Sequence, residues 1–150
     1  MTGSILRRLK LIGRSEMGGA MVELAVVLPV LVLMAIGVMD YGRVFFRSIM
    51  VANAARAGAD WGAYASNYTN QAGMQAFTKL DAQEISTLKV SSQSFCLCGD
   101  ATASCSSSCG GVPLRVLVEV TATDTVALLM NYPGLPDKIV ISQSARYRAQ

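Results

Sequence analysis

An α+β chain is predicted, with a long N-terminal helix leading into a small three-stranded antiparallel sheet and one short extra helix. Three observations predict it. Residues 17–39 form an apolar run of helical length, residues 40–65 continue without proline as a small-residue helical pattern, and the C-terminal half alternates apolar with polar residues. The 150 residues carry only 15% charged side chains, against about 25% in an average soluble domain. A wholly soluble globule is therefore not expected. There is no histidine, which removes Ser-His and Cys-His nucleophile pairs, imidazole zinc sites and near-neutral histidine acid-base chemistry.

The net charge of +3 lies entirely in the leader. Arg7, Arg8, Lys10 and Arg14 oppose only Glu16 there, and the residues from Gly19 onward balance. A nucleic-acid partner needs a clustered basic face in the folded part, and none follows position 18. The run MGGAMVELAVVLPVLVLMAIGVM from Met17 to Met39 has one ionisable group, Glu23. As a helix it spans roughly 34 Å, enough for a hydrocarbon core of about 30 Å. Four basic residues precede it and Arg43 and Arg47 follow, so the N-terminus is expected in the cytoplasm and the C-terminus outside. A secretory signal peptide shares the basic and apolar regions, and Ala35-Ile36-Gly37 supplies a small-x-small pair. Such signals carry shorter apolar stretches, of 7 to 15 residues, and leave Glu23 and Pro29 unexplained.

Glu23 is the informative residue, because a carboxylate in a spanning helix is costly and usually marks function. It stands in a Gly-x4-Glu pattern, Gly18 to Glu23, between a basic leader and an apolar helix, the substrate pattern of prepilin peptidases. Cleavage after Gly18 would create a charged α-amine on Gly19. Gly19 and Glu23 are i and i+4 on one helix face, so the carboxylate gains an amine to pair with, on its own chain or a neighbour's. Gly18 and Gly19 are a flexible pair, suited to opening into a peptidase site. Pro29 removes the donor for the carbonyl of Ala25 and predicts a local kink.

From residue 14 to about 65 the chain resembles the TadE-like family of minor pilins, or pseudopilins, of the tight-adherence (Tad/Flp) pilus. The likeness rests on the basic leader, Gly-x4-Glu, the apolar run with Leu28-Pro29, then Asp40-Tyr41-Gly42-Arg43 and Asn53-Ala54-Ala55-Arg56-Ala57-Gly58-Ala59. It departs at Leu24, where an aromatic is common, and at Asp60, where a basic residue is common. The resemblance implies a pilin-like fold, cleavage by the aspartic prepilin peptidase of the inner membrane, and a part in pilus biogenesis. The expected partners are that peptidase, other pilin or pseudopilin subunits, the inner-membrane assembly platform and membrane lipid. The expected place is the bacterial inner membrane as a single-pass protein, later incorporated into an extracellular pilus. No cofactor, metal or catalytic constellation is expected, and the chain is read as a non-enzyme.

The expected organisation is a leader over residues 1–18, a transmembrane and stalk helix over 19–65, and an extracytoplasmic α+β domain over 66–150. Ala54, Gly58 and Gly62 recur every fourth residue, a seam that lets elements approach closely. Both another subunit and the chain's own sheet fit that seam. SNYTN, residues 66–70, reads as a polar break. Residues 73–88 then suggest an amphipathic helix with Met74, Phe77, Leu80, Ile85 and Leu88 inward. Asp81 and Glu84 are read as a solvated face, and Trp61 and Tyr64 as packing on the sheet. Strands are expected at about Lys89 to Leu97, Pro113 to Thr123 and Lys138 to Arg148. Residues 131–136, NYPGLP, mark the turn before the last, whose Arg146 and Arg148 would protect an edge.

Cys96, Cys98, Cys105 and Cys109 lie in a Ser/Gly-rich loop over residues 96–109. Their spacing lacks the paired C-x2-C of zinc ribbons, and outside the cytoplasm disulfides persist. Two disulfides are expected, nested or crossed. The alternative to a pilus subunit is a membrane-tethered or secreted binding module that uses this loop.

Overall fold

The structure is a computed structural model that describes residues 17–64, 66–130 and 133–149. Residues 1–16 of the expected leader, and Asn131 and Tyr132 of the expected turn, lie outside the described residues. Two compact units divide the chain, one ending at Met39 and one beginning at Asp40. The boundary falls inside helix α1 (Met17–Ala63), which begins and ends two residues earlier than expected.

In the first unit α1 is apolar on every face, and the protein buries none of its most apolar stretch. Met21, Leu28, Leu31 and Val38 are all exposed. The helix continues through Pro29. Among the described residues one helix is thus long and apolar enough to cross a membrane.

In the second unit, residues 40–63 of α1 supply one wall of a core. A 3-10 turn (Asn67–Thr69) and helix α2 (Gln71–Asp81) follow. Asn70 caps α2, its side chain accepting from the Gly73 N–H at 2.9 Å in the usual N-cap manner. Among the described residues the sheet has four strands, β1 (Lys89–Cys98), β2 (Ala101–Ala103), β3 (Leu114–Ala127) and β4 (Lys138–Arg148), antiparallel in the order β2-β1-β3-β4. The expected three strands are present, and the fourth corrects that count. Strand β2 folds straight back on the end of β1, Cys98 opposite Ala101 and Cys96 opposite Ala103. Gly99-Asp100 makes the two-residue turn, with Gly99 at φ 67°, a conformation that glycine adopts freely.

Strand β3 sends Val118, Val120, Ala122, Asp124 and Val126 inward. The core has two clusters. Val51, Ala54 and Ala55 meet Ala82, Ile85, Leu88, Ala122, Val126 and Ile141 in one, and Ala59 and Ala63 meet Met74, Val118 and Val120 in the other. Alanine predominates on the helix side because it lets the helix approach the sheet closely.

The expected helix over 73–88 stops at Asp81. Ala82, Ile85 and Leu88 are buried at three-residue spacing along successive turns, with Ile85 N–H bonded to Ala82 O and Leu88 N–H to Ile85 O. Met74 is fully buried as expected, but Phe77 and Leu80 are exposed and Thr78 takes the inward position instead. Thr78 is tolerated there because its hydroxyl donates to the Met74 carbonyl at 2.8 Å, leaving no unsatisfied polar atom. Asp81 and Glu84 are exposed. Tyr64 is exposed rather than packed on the sheet, whereas Trp61 is partly buried and stacks on Phe77 with ring centroids 6.0 Å apart.

On the outer face of the sheet Arg146 lies over the Phe95 ring at 5.0 Å and pairs with Glu119 at 2.9 Å. The Gln93 amide also donates to Glu119, at 2.6 Å. These two hydrogen bonds, Gln93 first, hold the Glu119 carboxyl below its ordinary value. A carboxyl lowered in the folded state adds stability above the unfolded value and loses it as pH falls through the folded one. Acid denaturation profiles of wild type and Gln93→Ala should therefore converge below the ordinary carboxylate range and separate above it. Parallel profiles across that range would remove the role assigned to Gln93.

Candidate functional site

Gly18, Gly19 and Glu23 occupy the first turns of α1. A Cβ added at Gly18 or Gly19 would meet nothing within 4 Å, so neither glycine is required by packing. Glu23 lies in a shallow, open concavity with Ala20, Leu24 and Val27. It has no hydrogen-bond or ion-pair partner among the described residues. The helix thus presents one carboxylate on an otherwise apolar surface, one turn from the α-amine that cleavage at Gly18-Gly19 would create.

Within the second unit the Ala54, Gly58, Gly62 seam packs against α2 and the sheet. Ala54 is fully buried. A Cβ on Gly58 would overlap Thr78 Oγ1 and come within 3.0 Å of the Met74 carbonyl oxygen, and one on Gly62 would overlap the Met74 side chain. Of the two occupants the sequence left open, α2 and the sheet fill these positions.

The cysteines form two disulfides, Cys96–Cys105 and Cys98–Cys109, which is the crossed arrangement. The Cα atoms are 5.1 and 5.3 Å apart, within the usual range. Arg115 fastens the base, its guanidinium donating to the Gly99 carbonyl and pairing with Asp100 at 3.2 Å. Peptide mapping of oxidised protein should recover 96–105 and 98–109 links. Recovery of 96–109 and 98–105 links would replace the crossed arrangement with the nested one.

Two buried carboxylates went unassigned in the sequence. Asp40 accepts the Leu129 N–H with both oxygens, at 2.9 and 3.1 Å, and lies 3.6 Å from Arg43. Asp124 accepts from the Thr87 hydroxyl at 2.5 Å, with Arg47 at 3.9 Å. Arg43, Phe46, Arg47, Thr87 and Asp124 help line an open pocket of about 200 Å³. The signal for Asp40 was available, since Asp40, Arg43 and Arg47 share one helix face. Asp124 gave less, because one polar residue among inward-facing Ala122 and Val126 reads as the end of a strand.

The fold and this arrangement define a class: a chain with one bilayer-length apolar helix continuing into a small disulfide-bearing α+β unit. Over residues 18–60 the chain matches the family model for TadE-like protein, the family its sequence resembles. No curated protein and no solved structure matches the chain.

Proposed function

We propose that the protein is a minor pilin or pseudopilin of a Tad-type pilus, cut after Gly18 by a prepilin peptidase and used as an assembly subunit rather than a catalyst. The observation that carries this reading is the lone carboxylate of Glu23 on an apolar helix, four residues beyond Gly19. Before assembly the chain waits in the inner membrane with its N-terminus in the cytoplasm and its disulfide-bearing unit outside, where those bonds persist. After cleavage the Gly19 amine is cationic at neutral pH and Glu23 pairs with it, within the chain or across to a neighbour. The apolar surface of residues 17–39 then passes from lipid to the apolar helices of other subunits. The crossed disulfides keep the exported loop compact.

The test is the N-terminal mass of the mature protein produced together with its own prepilin peptidase. A start at Gly19 is expected. A start near Val38, or an intact Met1, would overturn the reading and leave a secreted or tethered module whose cysteine loop is the place to look for binding.

A further inference from the structure

We propose that the pocket between the end of α1 and helix α2 is a docking site for an arginine side chain of another protein chain, its guanidinium against the aromatic rings and on the Asp60 carboxylate. The pocket is open, has a volume of about 290 Å³ and is lined by Ala57, Asp60, Trp61, Tyr64, Asn67 and Phe77, all within the second unit. Three of those six side chains are aromatic, and Tyr64 is 73% and Phe77 42% exposed. The central ring is fixed in place. Trp61 stacks on Phe77 with centroids 6.0 Å apart, and α2 carries a glycine where it meets the indole, since a Cβ on Gly73 would overlap that ring. The Asn67 amide donates to the Trp61 carbonyl at 3.2 Å and ties the 3-10 turn to the end of α1. A site ordered before its ligand arrives loses less freedom on binding.

The charge of the lining selects the occupant. Asp60 is exposed and makes no ion pair among the described residues. Arg56, one helical turn earlier, donates to Asn53 instead. With its N–H given to Trp61, the Asn67 amide keeps a carbonyl oxygen as an acceptor. The faces of aromatic rings carry the negative side of their quadrupole and attract cations. A carboxylate with no counter-charge beside such faces calls for a cationic donor. The volume falls below the roughly 300 to 1,000 Å³ of pockets that enclose a drug-sized ligand, and suits the end of one side chain. Arginine fits better than lysine, because a planar guanidinium stacks on aromatic rings and bonds a carboxylate with two N–H groups, whereas an ammonium is a compact, strongly hydrated point charge. The site does not depend on cleavage after Gly18, so the mature N-terminus and this pocket are tested separately.

Trp61 is the only tryptophan of the chain, so its indole N–H gives a single NMR signal from inside the pocket. The full chain in detergent micelles is titrated at constant ionic strength with N-acetyl-arginine methylamide, N-acetyl-lysine methylamide and methyl glucoside. The arginine compound is expected to shift the indole signal saturably, at a half-saturating concentration several-fold below that of the lysine compound, and the sugar to leave it in place. Asp60→Asn should keep the signal of the ligand-free chain, which reports an intact fold, and raise the half-saturating concentration about fivefold. No shift with the arginine compound, equal responses to arginine and lysine, or an unchanged titration in Asp60→Asn would overturn the proposal, and saturation by methyl glucoside would make the pocket a carbohydrate site instead. The source of the arginine is read in cells, with the photoreactive benzoylphenylalanine in place of Tyr64. Adducts are expected on an arginine-bearing peptide of another protein chain and should be lost on adding Asp60→Asn. Adducts on glycan or lipid, adducts that survive Asp60→Asn, or none at all would end the proposal.

Discussion

Glu23→Ala is expected to lower the amount of subunit recovered in sheared pili by on the order of a hundredfold, without changing cleavage at Gly18 or retention in the membrane. The magnitude follows from the amine that the change leaves behind. A charge buried in apolar surroundings without its partner costs roughly 3 kcal/mol or more, and about 1.4 kcal/mol is a factor of ten. Before assembly the same substitution relieves a cost, since a carboxylate inside a spanning helix is unfavourable by up to about 3 kcal/mol, less toward the interface. The variant should therefore insert at least as well as wild type and fail only on leaving the bilayer. Glu23→Gln, which keeps an acceptor but not the charge, should fall between. Quantifying the chain in pilus and membrane fractions checks this, and wild-type recovery of Glu23→Ala in pili would sink the pairing role. The tethered-module alternative instead requires that neither chain is recovered in pili and that the substitution leaves the membrane fraction unchanged.

The parts of this fold that were legible in the sequence are those whose cause is local. The apolar run of residues 17–39 is helical throughout, and β4 spans Lys138–Arg148 as its alternation and the preceding turn residues predict. The rest depends on contacts between distant segments. Strand β3 runs four residues beyond the expected Thr123 because Thr87, 37 residues earlier in the chain, satisfies Asp124 at an inward position. Strand β2 was hidden in a segment read as a cysteine loop, although Gly99-Asp100 is a hairpin turn signal. Phe77 and Leu80 fit the apolar face of a helix but are exposed, because Gly58 and Gly62 draw Thr78 and Met74 into the close approach. Within the candidate site, Glu23 was legible as an isolated charge in an apolar run. Asp40 was legible only as part of a motif, since its Leu129 partner lies 89 residues away.

Gly58→Leu should unfold the second unit or cost it about 3 kcal/mol, at the upper end of what overpacking does to a dense core. Substitution adds a Cβ where Thr78 Oγ1 already lies and only 3.0 Å from a backbone carbonyl. The hydroxyl can rotate away, but the Met74 carbonyl belongs to α2 and moves only with the helix. Gly58→Ala should accordingly be milder, and combining it with Thr78→Ala should recover part of the loss, because one of the two colliding groups is gone. Gly42→Ala is the control within the same helix. Nothing lies within 4 Å of a Cβ there, and alanine favours helix over glycine by up to about 1 kcal/mol, so that variant should match or exceed wild type. Thermal unfolding in detergent, followed by resistance to protease, orders the variants. Equal stability of Gly58→Leu and Gly42→Ala would mean that α2 does not sit on the Gly58 face, and would free the seam for a neighbouring subunit.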